Sequence, residues 1–161
     1  MNTPTLITAD LYDAHGDVCQ SCSTQFKQYG LRRVFSGPIR TVKCLNDNVL
    51  VRRALETPFA GGVLVVDGGN SLDSALLGDL MAELGRKNGW AGVVIFGAVR
   101  DVVTLGTIDF GVKALGSNPK KSGKIGTGAS NVEFQSGGVT FTPGHWIYSD
   151  DDGILVTPKK L

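Results

Sequence analysis

Two adjacent residues, Arg100 and Asp101, have side chains suited to chemistry on a small acid. A guanidinium presents a planar set of donors that matches a carboxylate or an enolate oxygen. A carboxylate is a hard oxygen ligand, and Mg²⁺ accepts one or two protein carboxylates, with water and substrate completing its octahedron. The pair therefore predicts an anion-binding arginine beside a metal-binding aspartate.

Gly78 and Asp79 stand where the chain is expected to enter a helix. If Asp79 is the N-cap of that helix, the amides of Leu80 and Met81 are among the donors that a helix leaves unpaired. Those donors and the positive end of the helix dipole favour a small carboxylate. These four residues predict a second element that binds an anion.

The surrounding elements explain how the two parts meet. Val63–Val66 and Val93–Phe96 are apolar runs typical of strands buried on both faces. Helical spacing appears between them, with Leu80, Met81 and Leu84 on one side, and Asn88-Gly89 ends that helix. The result is a βαβ unit with parallel strands, so the loops after both strands lie at one sheet edge. Ligands of open α/β sheets bind at that edge.

The remaining chain predicts a mixed α/β fold in a single domain over residues 1–161. Pro38–Leu45 alternates as a strand does, and Asp47 is expected to cap a helix that reaches about Glu56. The C-terminal part is expected to be rich in β-structure, because short strand-like segments are joined there by glycine turns. These segments are Asn131–Gln135, Gly138–Thr142, His145–Tyr148 and Ile154–Thr157.

Composition restricts the classes of partner. Sixteen basic and fifteen acidic residues leave a formal charge of +1, which gives no global attraction to nucleic acid or to an anionic membrane. Three cysteines, an odd number, do not suggest a disulfide framework. Met1–Ala9 lacks the basic region and apolar run of a secretory signal. We therefore expect a cytoplasmic protein without a membrane or direct nucleic-acid partner.

The same residues also allow purely structural interpretations, in which they form no functional site. Asp79 can serve only as a helix cap, and Arg100-Asp101 can be a surface pair at a helix start. Cys19 and Cys22 have the spacing of redox and zinc motifs, although a zinc site would need two more ligands, for which His15 and Cys44 are the candidates. Two small, partly buried residues is the favoured interpretation of the cysteine pair.

The lysines suggest two other kinds of functional site, a phosphate-binding loop and a Schiff-base aldolase site. Pro119–Gly128 contains Lys120, Lys121 and Lys124 among glycines but lacks the spacing of a phosphate-binding loop, so we interpret it as a solvated basic loop or a subunit contact. A Schiff-base aldolase needs a lysine in an apolar pocket, and Lys43 and Lys113 are candidates for that role.

The spacing of Asp79 and Arg100-Asp101, with twenty residues between, resembles the D-x20-R-D signature of the 4-hydroxy-4-methyl-2-oxoglutarate aldolases. These metal-dependent lyases share a family with the RraA-like regulators of ribonuclease activity. The likeness runs from about Thr8 to Val156. It extends to Val65-Val66-Asp67-Gly68-Gly69, Leu76-Leu77-Gly78-Asp79, Gly97-Ala98-Val99-Arg100-Asp101, Gly137-Gly138-Val139-Thr140-Phe141 and Asp152-Gly153-Ile154.

The resemblance implies a swivelling β/β/α domain that assembles as a homotrimer, or as a dimer of trimers, with active sites near subunit interfaces. It implies that Gly78, Asp79, Leu80 and Met81 form the substrate loop. Arg100 would bind substrate and Asp101 would hold a divalent cation, Mg²⁺ or alternatively Mn²⁺; these two are the implied catalytic residues. The implied activities are cleavage of 4-hydroxy-4-methyl-2-oxoglutarate into two pyruvates and decarboxylation of oxaloacetate, both through pyruvate enolate.

This sequence departs from the aldolase pattern in two ways. Thr104 stands where some relatives carry an acidic residue, three positions after the final Asp of the motif. The chain also ends soon after Thr157, without the extension that in some aldolases supplies an acidic group to the neighbouring site. These departures favour decarboxylation over aldol cleavage and leave the proton-transfer group unassigned.

Two other functions follow from related sequences. The first is a non-catalytic inhibitor of an RNA-degrading endonuclease, which would make a ribonuclease the partner. Such regulators can lack the final Asp of the motif, whereas this chain keeps Asp101, which favours the enzyme. The second is an older label, a menaquinone-pathway methyltransferase. We exclude it because no glycine-rich S-adenosylmethionine loop follows the first buried strand of a larger Rossmann domain.

Overall fold

Four short helices and twelve strands make up the described part of the chain. The structure is a computed structural model that describes residues 5–161, so the predicted lack of a secretory signal falls partly outside the described residues. The helices are α1 (Thr8–His15), α2 (Val49–Glu56), α3 (Asp79–Lys87) and α4 (Val102–Leu105). The strands are β1 (Gln20–Ser21), β2 (Lys27–Gln28), β3 (Phe35–Lys43), β4 (Val63–Asp67), β5 (Ala75–Leu77), β6 (Gly92–Val99), β7 (Gly111–Ser117), β8 (Ala129–Ser130), β9 (Phe134–Ser136), β10 (Val139–Phe141), β11 (Trp146–Ser149) and β12 (Ile154–Thr157).

The central sheet is mixed. Its strand order is β1-β12-β11-β3-β4-β6-β7-β2, with β5 added beside β6 and β8 beside β3. The four central strands β3, β4, β6 and β7 are parallel, and the outer strands β1, β12, β11 and β2 pair antiparallel. The predicted mixed α/β fold with a central βαβ unit is therefore confirmed, and β4 and β6 are its two parallel strands.

Side-chain alternation along the buried strands creates two cores. Leu64 and Ile95 face a core shared with α2 and α3, whereas Val65 and Phe96 face the opposite side of the sheet. A hairpin formed by β9 and β10 covers that second side, where Phe141 lies with its ring centroid 5.6 Å from that of Phe96. The uninterrupted apolar runs arise because both faces of β4 and β6 are covered.

Some boundaries differ from those predicted. The segment Asn131–Gln135 was expected to be one strand, but the structure has β8 before it and β9 at its end. β5 was not predicted at all. The predicted apolar face of α3 is also different: Leu80 is 82% exposed, and the buried residues of the helix are Met81, Ala82 and Gly85.

Within residues 5–161, α3 is the longest helix with nine residues, and none of the helices has the length and apolar character required to cross a membrane.

Candidate active site

The parallel strands determine where the candidate site lies. Because β3, β4, β6 and β7 run in the same direction, the segments that follow them emerge at one edge of the sheet. These segments include Asn46–Asn48 after β3, Arg100-Asp101 after β6 and the basic loop, residues 118–128, after β7. The same edge therefore gathers residues from distant parts of the sequence.

The short strand β5 brings the start of α3 against Arg100. The amide of Arg100 donates a hydrogen bond to the carbonyl of Leu77 at 3.0 Å, which locks the end of β5 to the end of β6. Gly78 follows directly, and a Cβ atom there would lie 2.5 Å from Oδ2 of Asp101. A side chain at position 78 would therefore displace the Asp101 carboxylate from the helix start.

The first turn of α3 differs from the prediction. Gly78, not Asp79, is the N-cap, and Asp79 is the first helical residue. The amide of Asp79 donates to Oδ2 of Asp101 at 3.0 Å, and the amide of Leu80 donates to Oδ1 of Asp79 at 2.8 Å. Within the described chain, the amide of Met81 has no hydrogen-bond partner. Of the two predicted amide donors, that of Met81 is therefore available to a ligand, and that of Leu80 is already bound to Asp79.

Asp101 has an unusual backbone conformation. Its φ of 59° and ψ of 41° lie in the left-handed region, where Asp and Asn are found more often than other non-glycine residues. Among residues 5–161, the other non-glycine residues with positive φ are Asn46, Asn70 and Asn131. Such a conformation costs on the order of 1–3 kcal/mol and persists where the surroundings enforce it, often at functional sites. Here it turns the chain from β6 into α4 and directs the Asp101 carboxylate to the start of α3.

A cleft of about 150 Å³ contains all of the predicted site residues. These are Gly78, Asp79, Leu80, Met81, Arg100 and Asp101. The guanidinium of Arg100 donates one long bond of 3.5 Å, from Nη1 to the carbonyl of Pro119, and has no other hydrogen-bond partner within residues 5–161. Most of its donors are therefore free to bind an anion in the cleft.

Four polar residues that the sequence did not single out for the site line the same cleft: Asn48, Arg52, Lys121 and Lys124. Lys121 and Lys124 are exposed, as the prediction of a solvated basic loop requires, and the structure adds that both line the wall of the cleft. Recognition of Gly111–Ser117 as a parallel strand would have predicted this, because the loop after it must then emerge at the site edge.

Asp47 fixes the basic loop against the site. Its buried carboxylate accepts hydrogen bonds from the amides of Val49 at 3.1 Å, Ile125 at 2.6 Å and Gly126 at 3.0 Å. Burial opposes the charge of this carboxylate, but the three amides and Lys124 outweigh burial and lower its pKa. The predicted end of α2 at Glu56 is confirmed, but its N-cap is Asn48, one residue after the predicted Asp47, whose carboxylate instead binds the first helical amide, that of Val49, and anchors the loop.

Lys124 lies among other cations. Its ammonium donates to Oδ1 of Asn48 at the floor of the cleft. Burial, followed by the positive charges of Arg100 and Arg52, holds the pKa of Lys124 below its usual value. Arg52 forms an ion pair with Glu56 at 2.9 Å, whereas Arg100 and Lys124 form no ion pair within the described residues. An anion entering the cleft would relieve this unbalanced charge.

The donor set fits a hard divalent cation. Oδ2 of Asp101 accepts the amide of Asp79, which leaves Oδ1 without a protein donor in the described chain. Oδ2 of Asp79 likewise receives none. No group of three or more His, Cys, Asp or Glu side chains able to hold a metal occurs in residues 5–161. Two carboxylates suit Mg²⁺ or Mn²⁺, which retain water and substrate ligands, better than zinc, which structural sites enclose entirely in protein.

A larger cleft of about 610 Å³, lined by Lys43, Cys44 and Asp67 among others, has less suitable chemistry. Oδ1 of Asp67 accepts the amide of Gly69 at 3.0 Å in a tight turn. Burial, with smaller contributions from Asp47 and Asp67, raises the pKa of the Cys44 thiol to about 12, so the thiol is protonated at neutral pH. This cleft lacks the guanidinium–carboxylate pair of the smaller one.

The cysteines do not form the zinc site considered above. Cys19 and Cys22 are half-buried, as expected for small structural residues. Cys22 packs against the core on the hairpin side of the sheet, whereas Cys44 belongs to the core on the helix side. Because the sheet separates them, Cys44 is not a ligand for an ion held by Cys22.

Lys113, the candidate for a Schiff base, lies outside the candidate cleft. It is only 3% exposed, and its ammonium donates to the carbonyls of Asp150 at 2.6 Å and Gly153 at 3.1 Å. These contacts tie β7 to the turn between β11 and β12. Burial lowers the pKa of Lys113 to about 8. The residue is thus a buried structural contact.

The lowered pKa of Lys113 predicts a pH dependence of stability. Between about pH 8 and pH 10.5 the unfolded chain binds more protons at this position than the folded chain, so the free energy of unfolding rises with pH. We expect the wild type to gain about 2 kcal/mol relative to Lys113→Met between pH 7.5 and pH 10. Urea unfolding of both proteins across this range measures the difference, and a pH-independent difference would contradict it.

Comparisons with known proteins agree with this fold. The family model described as RraA-like, Aldolase/RraA, matches residues 8–156. A crystal structure described as S-adenosylmethionine:2-dimethylmenaquinone methyltransferase from Geobacillus kaustophilus HTA426 is 49% identical, with 97% of each chain covered and a TM-score of 0.96. The RNA-processing inhibitor RraA from Thermus thermophilis is 42% identical over 100% of this chain and 96% of that one, with a TM-score of 0.93.

A more distant structure is RraAS2 from Streptomyces coelicolor, described as an unusual member of the RNase ES inhibitor RraA protein family. It is 27% identical over 93% of this chain and 77% of that chain, with a TM-score of 0.74. The family model covers nearly the whole sequence, and the relatives share its fold along their length. The chain therefore belongs to the RraA-like family, as its sequence predicted.

Proposed function

We propose that this chain is a divalent-metal-dependent carbon–carbon lyase that releases pyruvate from short 2-oxo acids. Oxaloacetate and 4-hydroxy-4-methyl-2-oxoglutarate are the proposed substrates. The observation that carries the proposal is the meeting of Arg100, Asp101 and the first turn of α3 in one cleft. A guanidinium, carboxylates and a free helix amide are the groups that a metal-assisted enolate reaction requires.

Each side chain has a distinct task in the proposed reaction. Arg100 and the amide of Met81 bind and orient the carboxylate of the 2-oxo acid. Asp101, with Asp79 beside it, would hold Mg²⁺ or Mn²⁺, which when bound supplies a Lewis acid for the ketone of the substrate. Arg100 is placed to stabilise the negative charge that develops on the enolate oxygen, commonly a large contribution to catalysis.

Decarboxylation is the activity that these residues support most simply. In oxaloacetate the C3–C4 bond breaks, CO₂ leaves, and the bond electrons form the enolate of pyruvate, which then takes a proton at C3. Cleavage of 4-hydroxy-4-methyl-2-oxoglutarate breaks the corresponding bond but also requires a group that accepts the proton of the C4 hydroxyl. Thr104, where some relatives have an acid, is not a base at neutral pH. We therefore expect decarboxylation to be the faster activity.

The experiment that tests the proposal is pyruvate release from both substrates with Mg²⁺ and with EDTA. Because Mg²⁺ also promotes the spontaneous decay of oxaloacetate, each rate is corrected with a protein-free sample of the same metal content. We expect turnover with Mg²⁺, its loss in EDTA and its recovery with Mn²⁺. Metal-independent turnover, or none of either substrate, would contradict the proposal.

The relatives support a second candidate function. Two of the similar structures are described as inhibitors in RNA processing, which makes inhibition of an RNA-degrading endonuclease the alternative for this chain. The retained Asp101 favours the enzyme. Cleavage of RNA by the host endonuclease, measured with and without this protein, separates the two. Strong inhibition without lyase turnover would replace the enzyme with the regulator.

We also propose assembly as a homotrimer in the cytoplasm. Three exposed apolar side chains adjoin the site residues in sequence or line the cleft: Leu80 at 82%, Val103 at 85% and Ile125 at 85% exposed. Apolar side chains this exposed favour contact with another protein surface. Light scattering on the purified protein measures the assembly, and a monomer would contradict it.

A further inference from the structure

The cationic wall of the cleft, formed by Lys121 and Lys124, has no role in the reaction as described so far. Both lysines face the cleft that contains Arg100, yet neither forms an ion pair in the described part of the chain. A divalent cation would balance the two carboxylates of Asp79 and Asp101. Of the charges of Arg100, Lys121 and Lys124, that of Lys124 is partly offset by the carboxylate of Asp47, and a single substrate carboxylate balances only one of those that remain.

The backbone around these lysines is held in place on two sides. On one side the amide of Ala75, in β5, donates to the carbonyl of Lys120 at 2.8 Å. On the other side the amide of Gly123 donates to the carbonyl of Asn46 at 2.8 Å, and Asp47 accepts the amide of Ile125. The backbone of this wall is therefore a fixed part of the site edge, and it holds the Cα atoms of both lysines beside the cleft.

The position of Lys124 makes it the stronger of the two contacts. Asn48 accepts a hydrogen bond from its ammonium at the floor of the cleft, which restrains the side chain and leaves two further donors on the nitrogen. A restrained ammonium loses less conformational entropy on binding than a free one. Both lysines are exposed, and Lys121, whose side chain has no hydrogen-bond partner in the described residues, adds charge without this restraint.

We propose that Lys124, assisted by Lys121, binds the second carboxylate of the substrate and makes the cleft selective for dicarboxylic 2-oxo acids. This inference rests on the proposed function, in which Arg100 and the start of α3 bind the 2-oxo acid end. The far carboxylate then reaches the opposite wall of the same 150 Å³ cleft. A monocarboxylic acid leaves that wall unpaired and binds more weakly.

Two acids that do not react test the selectivity directly. 2-Oxoglutarate and 2-oxopentanoate have the same number of carbon atoms. In 2-oxopentanoate a methyl group replaces the far carboxylate of 2-oxoglutarate. Titration calorimetry with equal MgCl₂ gives both dissociation constants for the wild type, Lys124→Gln and the double variant Lys121→Gln/Lys124→Gln. Lys120→Gln is the matched control, because it removes one charge from the same loop at an exposed lysine that does not line the cleft.

We expect the wild type to bind 2-oxoglutarate at least about tenfold more tightly than 2-oxopentanoate. Lys124→Gln is expected to reduce this preference by about fivefold to tenfold, and the double variant to abolish it, with 2-oxopentanoate binding unchanged. Lys120→Gln is expected to keep the preference.

Equal binding of both acids by the wild type, or an unchanged preference in both variants, would overturn the inference and leave the lyase standing if pyruvate is released. A loss of preference in Lys120→Gln equal to that in Lys124→Gln would also overturn it, because only long-range charge would then be acting. Binding of neither acid, together with no pyruvate release, would reject the proposed function itself.

Discussion

Replacement of Asp101 by asparagine is expected to reduce kcat/KM for oxaloacetate by about 10³-fold, since the cation that Asp101 would hold contributes several kcal/mol. Asparagine has the same shape as aspartate, keeps an oxygen for the amide of Asp79 and tolerates the φ of 59°. The substitution therefore removes the charge and leaves the helix start intact. Pyruvate release, measured beside the urea midpoint, separates loss of activity from loss of structure.

A matched control accompanies this variant. Asp73→Asn removes an exposed carboxylate outside the cleft and is expected to leave both turnover and Mg²⁺ dependence unchanged. Full activity in Asp101→Asn would mean that Asp101 does not hold the cation.

Replacement of Arg100 by lysine is expected to lower kcat/KM by about 10²-fold, although the charge is kept. Lysine lacks the planar fork that binds a carboxylate through two parallel bonds. Because Arg100 binds the substrate carboxylate and also stabilises the enolate, we expect KM to rise and kcat to fall together. Steady-state kinetics with oxaloacetate measures both, and Arg100→Met is expected to be more severely impaired.

Arg53→Lys is the control for this substitution, because Arg53 is an exposed arginine on α2 that does not line the cleft. Its kinetics are expected to match the wild type. An Arg100→Met protein with wild-type KM would show that the guanidinium does not bind the substrate.

The central part of the fold was predictable because local patterns determine it. Val63–Val66 and Val93–Phe96 are apolar at every position, which is typical of a strand covered on both sides. Asn88-Gly89 ends α3 as expected, with Gly89 at a positive φ of 86°. From these elements the parallel pairing of β4 and β6 followed, and with it the edge at which Arg100 and Asp101 emerge.

The parts that were missed depend on contacts between distant segments. β5 has three residues, too few to show alternation, and it exists because it pairs with the end of β6. The basic loop faces the cleft because Asp47 binds the amides of Ile125 and Gly126, almost eighty positions away. Composition and spacing within the loop contain no sign of that anchor.

Leu80 shows a third kind of error. Its spacing with Met81 and Leu84 predicts a buried position, but it lies in the first turn of α3, beside the cleft and beyond the reach of the core. The helical pattern identifies the face of a helix, and the position of the helix end decides whether that face is covered.

A crystal structure with bound pyruvate and Mn²⁺ tests the central claim most directly, because the anomalous signal of manganese locates the ion without assumption. We expect one manganese peak at the carboxylate of Asp101, with pyruvate between the ion and the guanidinium of Arg100. A manganese peak elsewhere, or pyruvate bound away from both side chains, would contradict it.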